Sequence, residues 1–270
     1  MSCQFYEMHP MHPPPVDISR DISYNILRDI LLKFNHRNAL LTSPFSEQAY
    51  KSIKHDIITC RLKTGEQIAQ SQLAERYQIG TTPIREALQR LVQDGFVESI
   101  PRFGYVVRPV SLSDIHEIYE CRLILEPAVA YLAATRATDE QLREIVRTAD
   151  FSYTYEDAED ISEAHIYNAE FHRAIAVASN NRRLLDQVSR VLDETTRIFF
   201  MGIDLRSNAE TMHNGHMRLV EAIRDHNADQ AKQAAKQQLE HAKHQVLDAL
   251  VHRLAATESE IQIELFRGNH

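Results

Sequence analysis

The sequence predicts a mainly α-helical chain: a small α+β unit near the N-terminus, then a larger all-α bundle. Three observations carry this. Apolar residues recur at helical spacing along most of the 270 residues. The β-prone runs are short and adjacent, at 96–100 and 105–107. Trp is absent, and only 7 Gly and 9 Pro are present, too few for a chain built of many strands and tight turns.

Each element follows in order. Residues 1–16 hold Pro10, Pro13, Pro14 and Pro15 without apolar periodicity, so no packed structure is expected there. They also lack the cationic flank and apolar core of a signal peptide. Ile22, Ile26, Ile30 and Phe34 predict an amphipathic helix over 19–34. Ser43-Pro44 is expected to break the chain. Ala49, Ile53, Ile57 and Cys60 make the stripe of a helix over 46–60. A turn at 63–65 leads to a short helix over 70–77 that buries Leu73, Ala74 and Tyr77. After a connector at 78–80, Ile84, Ala87, Leu88, Leu91 and Val92 give a third helix over 81–93, which Gly95 terminates. A hairpin follows, with Pro101-Arg102-Phe103-Gly104 at its tip. Beyond Pro109 no strand signal survives. Ser111 or Ser113 caps a helix, and further helices fit 138–150, 160–179, 182–201, 207–226 and 228–255. The expected division is a 1–45 extension, a 46–110 unit, a 111–255 bundle and a 256–270 tail.

Charge divides the same way. The chain carries a net −8, yet residues 46–110 are net +2 and 111–270 are net −10. Nucleic acid responds to a local basic face rather than to the total. Three scattered cysteines suggest neither a disulfide framework nor a thiolate metal site, and point to a reducing cytoplasm. No apolar run reaches 18 residues, so no membrane span is expected.

Three short helices with a tight second turn, then a hairpin, outline a winged helix-turn-helix. Such a fold buries one face of its third helix and offers the other to a major groove. With Ile84 at zero and about 100° per residue, Ala87, Leu88 and Leu91 fall within about 60° of it. Thr82, Arg85, Glu86, Gln89, Arg90 and Gln93 fall on the opposite side. Arg can pair with guanine or phosphate, Gln with adenine, and Thr with phosphate. Glu86 and Arg90 could instead pair with each other at i,i+4. Arg102 and Gly104 at the hairpin tip suit a wing against the backbone.

Residues 62–107 resemble the DNA-binding domain of GntR-family bacterial transcription regulators. The family pattern has a Leu-Ala pair, then Ser-Arg-Thr-Pro-Val-Arg-Glu-Ala-Leu and a Gly-containing wing. Here it reads Leu73-Ala74, then Gly80-Thr81-Thr82-Pro83-Ile84-Arg85-Glu86-Ala87-Leu88. The resemblance implies Ser71, Thr81, Thr82, Arg85, Gln89, Arg102 and Gly104 as DNA contacts. Gly80-Thr81 replaces the usual Ser-Arg, and Ser71 stands where a cation is common, which implies weaker phosphate clamping or an altered operator.

The helical part resembles the FCD sensing domain of the FadR-type branch. The cues are Tyr119-Glu120-Cys121-Arg122-Leu123-Ile124-Leu125-Glu126, then Asn168-Ala169-Glu170-Phe171-His172, then His216 through Ala222-Ile223. That branch often holds a divalent metal, Zn or Ni, on an Asp, the His four residues later and two further His. Here the Asp position is Asn168, while His172 and His216 are in place. The last ligand position falls on Gln238, with His241 one turn beyond. The resemblance therefore implies either a metal on Asn168, His172, His216 and Gln238 or His241, or a polar cavity without one. Arg122, Asn168, His172 and His216 would bind the effector, a small carboxylate, with Arg122 gripping it bidentately or pairing with Glu126. His165, His213 and His244 are other possible ligands, most of them expected at the surface. No serine elbow, His-Glu-x-x-His or phosphate loop supports an enzyme. The expectation is a cytoplasmic, homodimeric, ligand-responsive regulator on a double-stranded operator, against an alternative of a helical interaction or metal-binding module without DNA specificity.

Overall fold

The computed structural model describes residues 43–149, 158–201 and 209–267. The helix expected over 19–34 lies outside them. Pro44 opens the first helix, α1 (Pro44–Ile58), and the residues before Ser43 lie outside the described ones. Ser43 Oγ accepts from the Ser46 backbone N–H and Pro44 occupies the first turn, where its missing N–H costs nothing. After it come β1 (Gln67–Ile68), α2 (Gln70–Tyr77), α3 (Thr81–Gln93), β2 (Val97–Ile100) and β3 (Gly104–Val107). The connector between α2 and α3 turns through Gln78 in the left-handed region, φ 55°, and plants Ile79 in the core.

The sheet is antiparallel in the order β1-β3-β2, with Gln67 opposite Val106 and Val97 opposite Val107. β1 was not expected from the sequence. Two residues carry no periodicity, and their order comes from β3, 37 or more positions away. The core of this unit joins Ala49, Ile53 and Ile57 of α1 to Ile84, Leu88 and Leu91 of α3.

The bundle contains α4 (Leu112–Arg136), α5 (Asp139–Ala149), α6 (Ala158–Ala178), α7 (Arg182–Phe200), α8 (Ala209–Arg224) and α9 (Ala228–Arg267). Ser111, not Ser113, caps α4, through a capping box with Asp114. α9 runs on to Arg267, past the end expected near 255. α4 packs against α6, α7, α8 and α9, and its Val129, Ala130 and Ala133 join Phe171, Leu192 and Leu219 in the core.

α1 packs on α7, which joins the small unit to the bundle. Lys54 Nζ lies 2.6 Å from Asp193 Oδ2, and Arg173 Nη2 donates to Asp193 Oδ1 at 2.9 Å. All three side chains are largely buried, so Asp193 neutralises two cations that water does not fully screen. Asp193→Asn is expected to lower unfolding stability by about 1–2 kcal/mol. Urea denaturation measures this, and an unchanged midpoint would show that the pair contributes nothing.

Candidate functional site

Two sites emerge, one on the small unit and one inside the bundle. On α3 the exposed side chains are Thr81, Thr82, Arg85, Glu86, Gln89 and Gln93, and Ser71 is exposed at the start of α2. Thr81 and Thr82 occupy the first turn of α3, whose unpaired backbone N–H groups favour an anion. Arg85 and Gln89 stand one turn apart on the same exposed face. At the wing tip Arg102 has φ 68° and Gly104 φ 93°. The tight reversal places an Arg in a region that few side chains adopt and leaves Arg102 and Phe103 exposed. Gln67 Nε2 donates to Phe103 O at 2.7 Å and ties β1 to the tip.

Two residues assigned to the outward face of α3 are engaged elsewhere. Arg90 Nη1 donates to Glu47 Oε2 at 2.7 Å, and its guanidinium lies 4.0 Å from the Tyr50 ring centroid. Glu86 accepts from Ser46 Oγ. Both therefore clamp α3 to α1 rather than pairing with each other. The reading face narrows to Thr81, Thr82, Arg85, Gln89 and, further along, the exposed Gln93.

The second site is a cavity of about 220 Å³ between α4, α6, α7, α8 and α9. Arg122, Asn168, His172, Gln238 and His241 all line it, so the sequence-predicted residues do converge. His216 sits beside this wall, fully buried, with its ring centroid 5.5 Å from His172 and 4.2 Å from Phe171. Burial, then the charges of His172, His213 and Arg122, push the His216 pKa well below 6.5, so the ring stays neutral. Gly215 makes this packing possible, because a Cβ there would come within 3.2 Å of Gln238 Cγ.

Glu126 governs the charge of the site. Arg122 Nε donates to Glu126 Oε1 at 2.5 Å, and His172 Nδ1 lies 2.7 Å from Oε2. Arg122 is 2% exposed and Glu126 6%. Burial alone would raise the Glu126 carboxyl, but Arg122 and His172 outweigh it and hold the pKa at about 2. Arg122 thus both faces the cavity and pairs with Glu126.

A divalent metal does not fit this donor set. The two oxygens of Glu126 are taken by Arg122 and His172. Positions 168 and 238 offer neutral carboxamides, and His241 is exposed and bonded to Gln245 Nε2 at 2.6 Å. Among the described residues no three His, Cys, Asp or Glu side chains group to hold an ion. A dication would sit beside the Arg122 guanidinium with no anionic ligand free to neutralise it.

The remaining histidines divide. His165 is buried against Phe199, ring centroids 5.0 Å apart, while His244 is exposed. The sequence reading also missed Arg218 and Thr211, which line the cavity. Thr211, Gly215 and Arg218 recur at i, i+4 and i+7, a helical face that the spacing could have revealed. Arg218 is exposed and has no carboxylate partner among the described residues.

Comparison with known proteins agrees with both halves. Residues 45–107 match the family described as bacterial regulatory proteins, gntR family, and residues 117–241 match the FCD domain. The Nta operon transcriptional regulator of Aminobacter aminovorans is 30% identical over 175 residues, 64% of this chain and 80% of that protein. The uncharacterized HTH-type transcriptional regulator YdhC of Bacillus subtilis is 28% identical over 208 residues, 75% of this chain and 92% of that protein. Among solved structures, a GntR regulator from Rhodococcus sp. RHA1 superposes with a TM-score of 0.66 at 23% identity, covering 77% of this chain and 99% of its own. E. coli McbR/YncC gives 0.64 at 20% identity, with coverages of 77% and 99%. Those two likenesses establish the fold; the curated relatives are regulators, not enzymes. No described helix is long and apolar enough to cross a membrane. The chain belongs to the GntR family of DNA-binding transcription regulators and carries an FCD domain as its second half.

Proposed function

We propose that this regulator works in the cytoplasm as a two-fold homodimer whose grip on a double-stranded operator is set by a small organic acid in the bundle cavity. Residues 46–110 form the reader, and 111–255 form the sensing and dimerisation domain. The observation that carries the DNA reading is the exposed face of α3, with Thr81, Thr82, Arg85 and Gln89 free of the clamps that hold Glu86 and Arg90. Ser71, Arg102 and Gly104 flank that face and position the duplex. The effector reading rests on a cavity in an acidic domain that is nonetheless lined by Arg122, Arg218 and His172.

The test is Arg85→Ala, titrated by fluorescence anisotropy against a promoter-length duplex. A lost base contact weakens operator binding by about 1–3 kcal/mol and relaxes the preference at one base pair. A lost phosphate contact weakens all sequences alike and lowers the salt slope by about one. Unchanged affinity in folded protein would remove α3 from the interface. The acid must also bind the DNA-competent and DNA-incompetent dimers unequally, and about 1–3 kcal/mol of coupling gives a 5- to 150-fold change in operator affinity.

A further inference from the structure

We infer that the bundle cavity binds its acid directly, without a metal. The inference rests on the cavity being the effector site, as read above. Three features of the side chains carry it.

The first is the fate of the buried carboxylate. Among the described residues Glu126 is the anion at this wall, and Arg122 and His172 each hold one of its oxygens. A dication drawn to it would have to compete with the guanidinium and the imidazole already bound there. A carboxylate behind a metal-binding imidazole would orient the ring. Here the same arrangement also carries the guanidinium, and Glu126 balances the charge of Arg122 inside the protein. Among the described residues that line the cavity, no carboxylate remains to attract a dication.

The second feature is the pair of carboxamides, Asn168 and Gln238. Asn168 is buried one turn before His172. Gln238 Oε1 is buried with no hydrogen-bond partner among the described residues. Neutral carboxamides are weaker ligands for Zn²⁺ or Ni²⁺ than a carboxylate and an imidazole, and they bring no charge to offset Arg122.

The third feature is Arg218. It lines the cavity from the exposed side and has no carboxylate partner among the described residues. It supplies the cation for the carboxylate of the ligand, at the mouth. A cavity of about 220 Å³ suits a small acid rather than a large ligand.

The experiment uses the full-length, tag-free protein with Zn²⁺ and Ni²⁺ as the probes. Metal content is measured by mass spectrometry after dialysis, followed by calorimetric titration with each ion. Wild type is expected to retain far less than one ion per chain and to show the same Tm with and without chelator. Asn168→Asp with Gln238→His restores a carboxylate and a third imidazole, and this double variant is expected to bind one ion per chain at least about 100-fold more tightly than wild type. Wild type that keeps one ion per chain through dialysis, or that loses Tm on chelation, overturns the inference. So does a folded double variant that binds no better, since the amides would then not be what excludes the metal. These readouts concern the ligand set alone. They stand whether or not the cavity proves to regulate DNA binding, so the two readings can fail separately.

Discussion

Glu126→Ala is expected to be among the most destabilising single changes in the bundle, by about 3–5 kcal/mol. The variant keeps the Arg122 guanidinium at its 2% exposed position and removes the charge that compensates it. It also strips His172 Nδ1 of its partner. For a chain of this size about 1 kcal/mol moves Tm by roughly 2–4 °C, so a drop of roughly 6–20 °C is expected by calorimetry. The loss comes from the uncompensated cation, not from a large intrinsic strength of the pair. Glu126→Ala combined with Arg122→Met should therefore recover part of it, because the buried cation is gone and only the packing lost at position 126 remains. Equal Tm values for the single and double variants would contradict this account.

The same carboxylate makes a pH prediction. Its folded pKa, about 2, lies below the ordinary 4.5. A depressed carboxylate stabilises the fold fully above its unfolded value and loses that contribution as pH falls towards the folded one. Wild-type stability should therefore decline between about pH 4.5 and 2, and Glu126→Gln should lose that part of the decline. Parallel acid limbs for the two proteins would place the titration elsewhere.

The parts of this molecule that were legible in the sequence are those whose causes are local. The apolar stripe of α3 is one, since Ile84, Leu88 and Leu91 recur within a single helix and all reach the core. The i,i+4 spacing of Arg122 and Glu126 is another, and the pair forms. What was not legible depends on a partner far along the chain. Arg90 turns from the DNA face because Glu47 and Tyr50 arrive on α1, about 40 residues earlier. Glu126 is drawn to His172 across 46 positions, and no spacing rule announces that. β1 exists only because Tyr105 and Val106 pair with it.

Ile124→Glu is expected to dissociate the dimer and to weaken operator binding by roughly 10²- to 10⁴-fold. One winged domain reads only a few base pairs, so tight binding needs two readers on one pseudo-palindrome, joined by a two-fold interface. Splitting the pair forfeits the avidity of linked sites, which is about that large. α4 offers the surface. Glu117, Cys121, Ile124, Ala128, Tyr131 and Thr135 are all exposed and recur in alternating steps of four and three, the seam of two packed helices. Ile124 is 73% exposed, an unusual position for so large an aliphatic side chain on a helix whose other face is core. Laid antiparallel on a second copy about a two-fold near residue 126, the stripe meets itself. Ile124 faces Ala128, Cys121 faces Tyr131, and Glu117 falls beside Thr135 and the exposed Arg136, a complementary charge at each end. That register makes a sharper test. Tyr131→Cys would place a thiol against the native Cys121 of the other copy, so mild oxidation should yield a covalent dimer, and Cys121→Ser added to it should abolish the product. Sedimentation then reads the assembly directly. A dimer that survives Ile124→Glu at micromolar concentration, or a Tyr131→Cys protein that stays monomeric under oxidation, would move the interface to another helix.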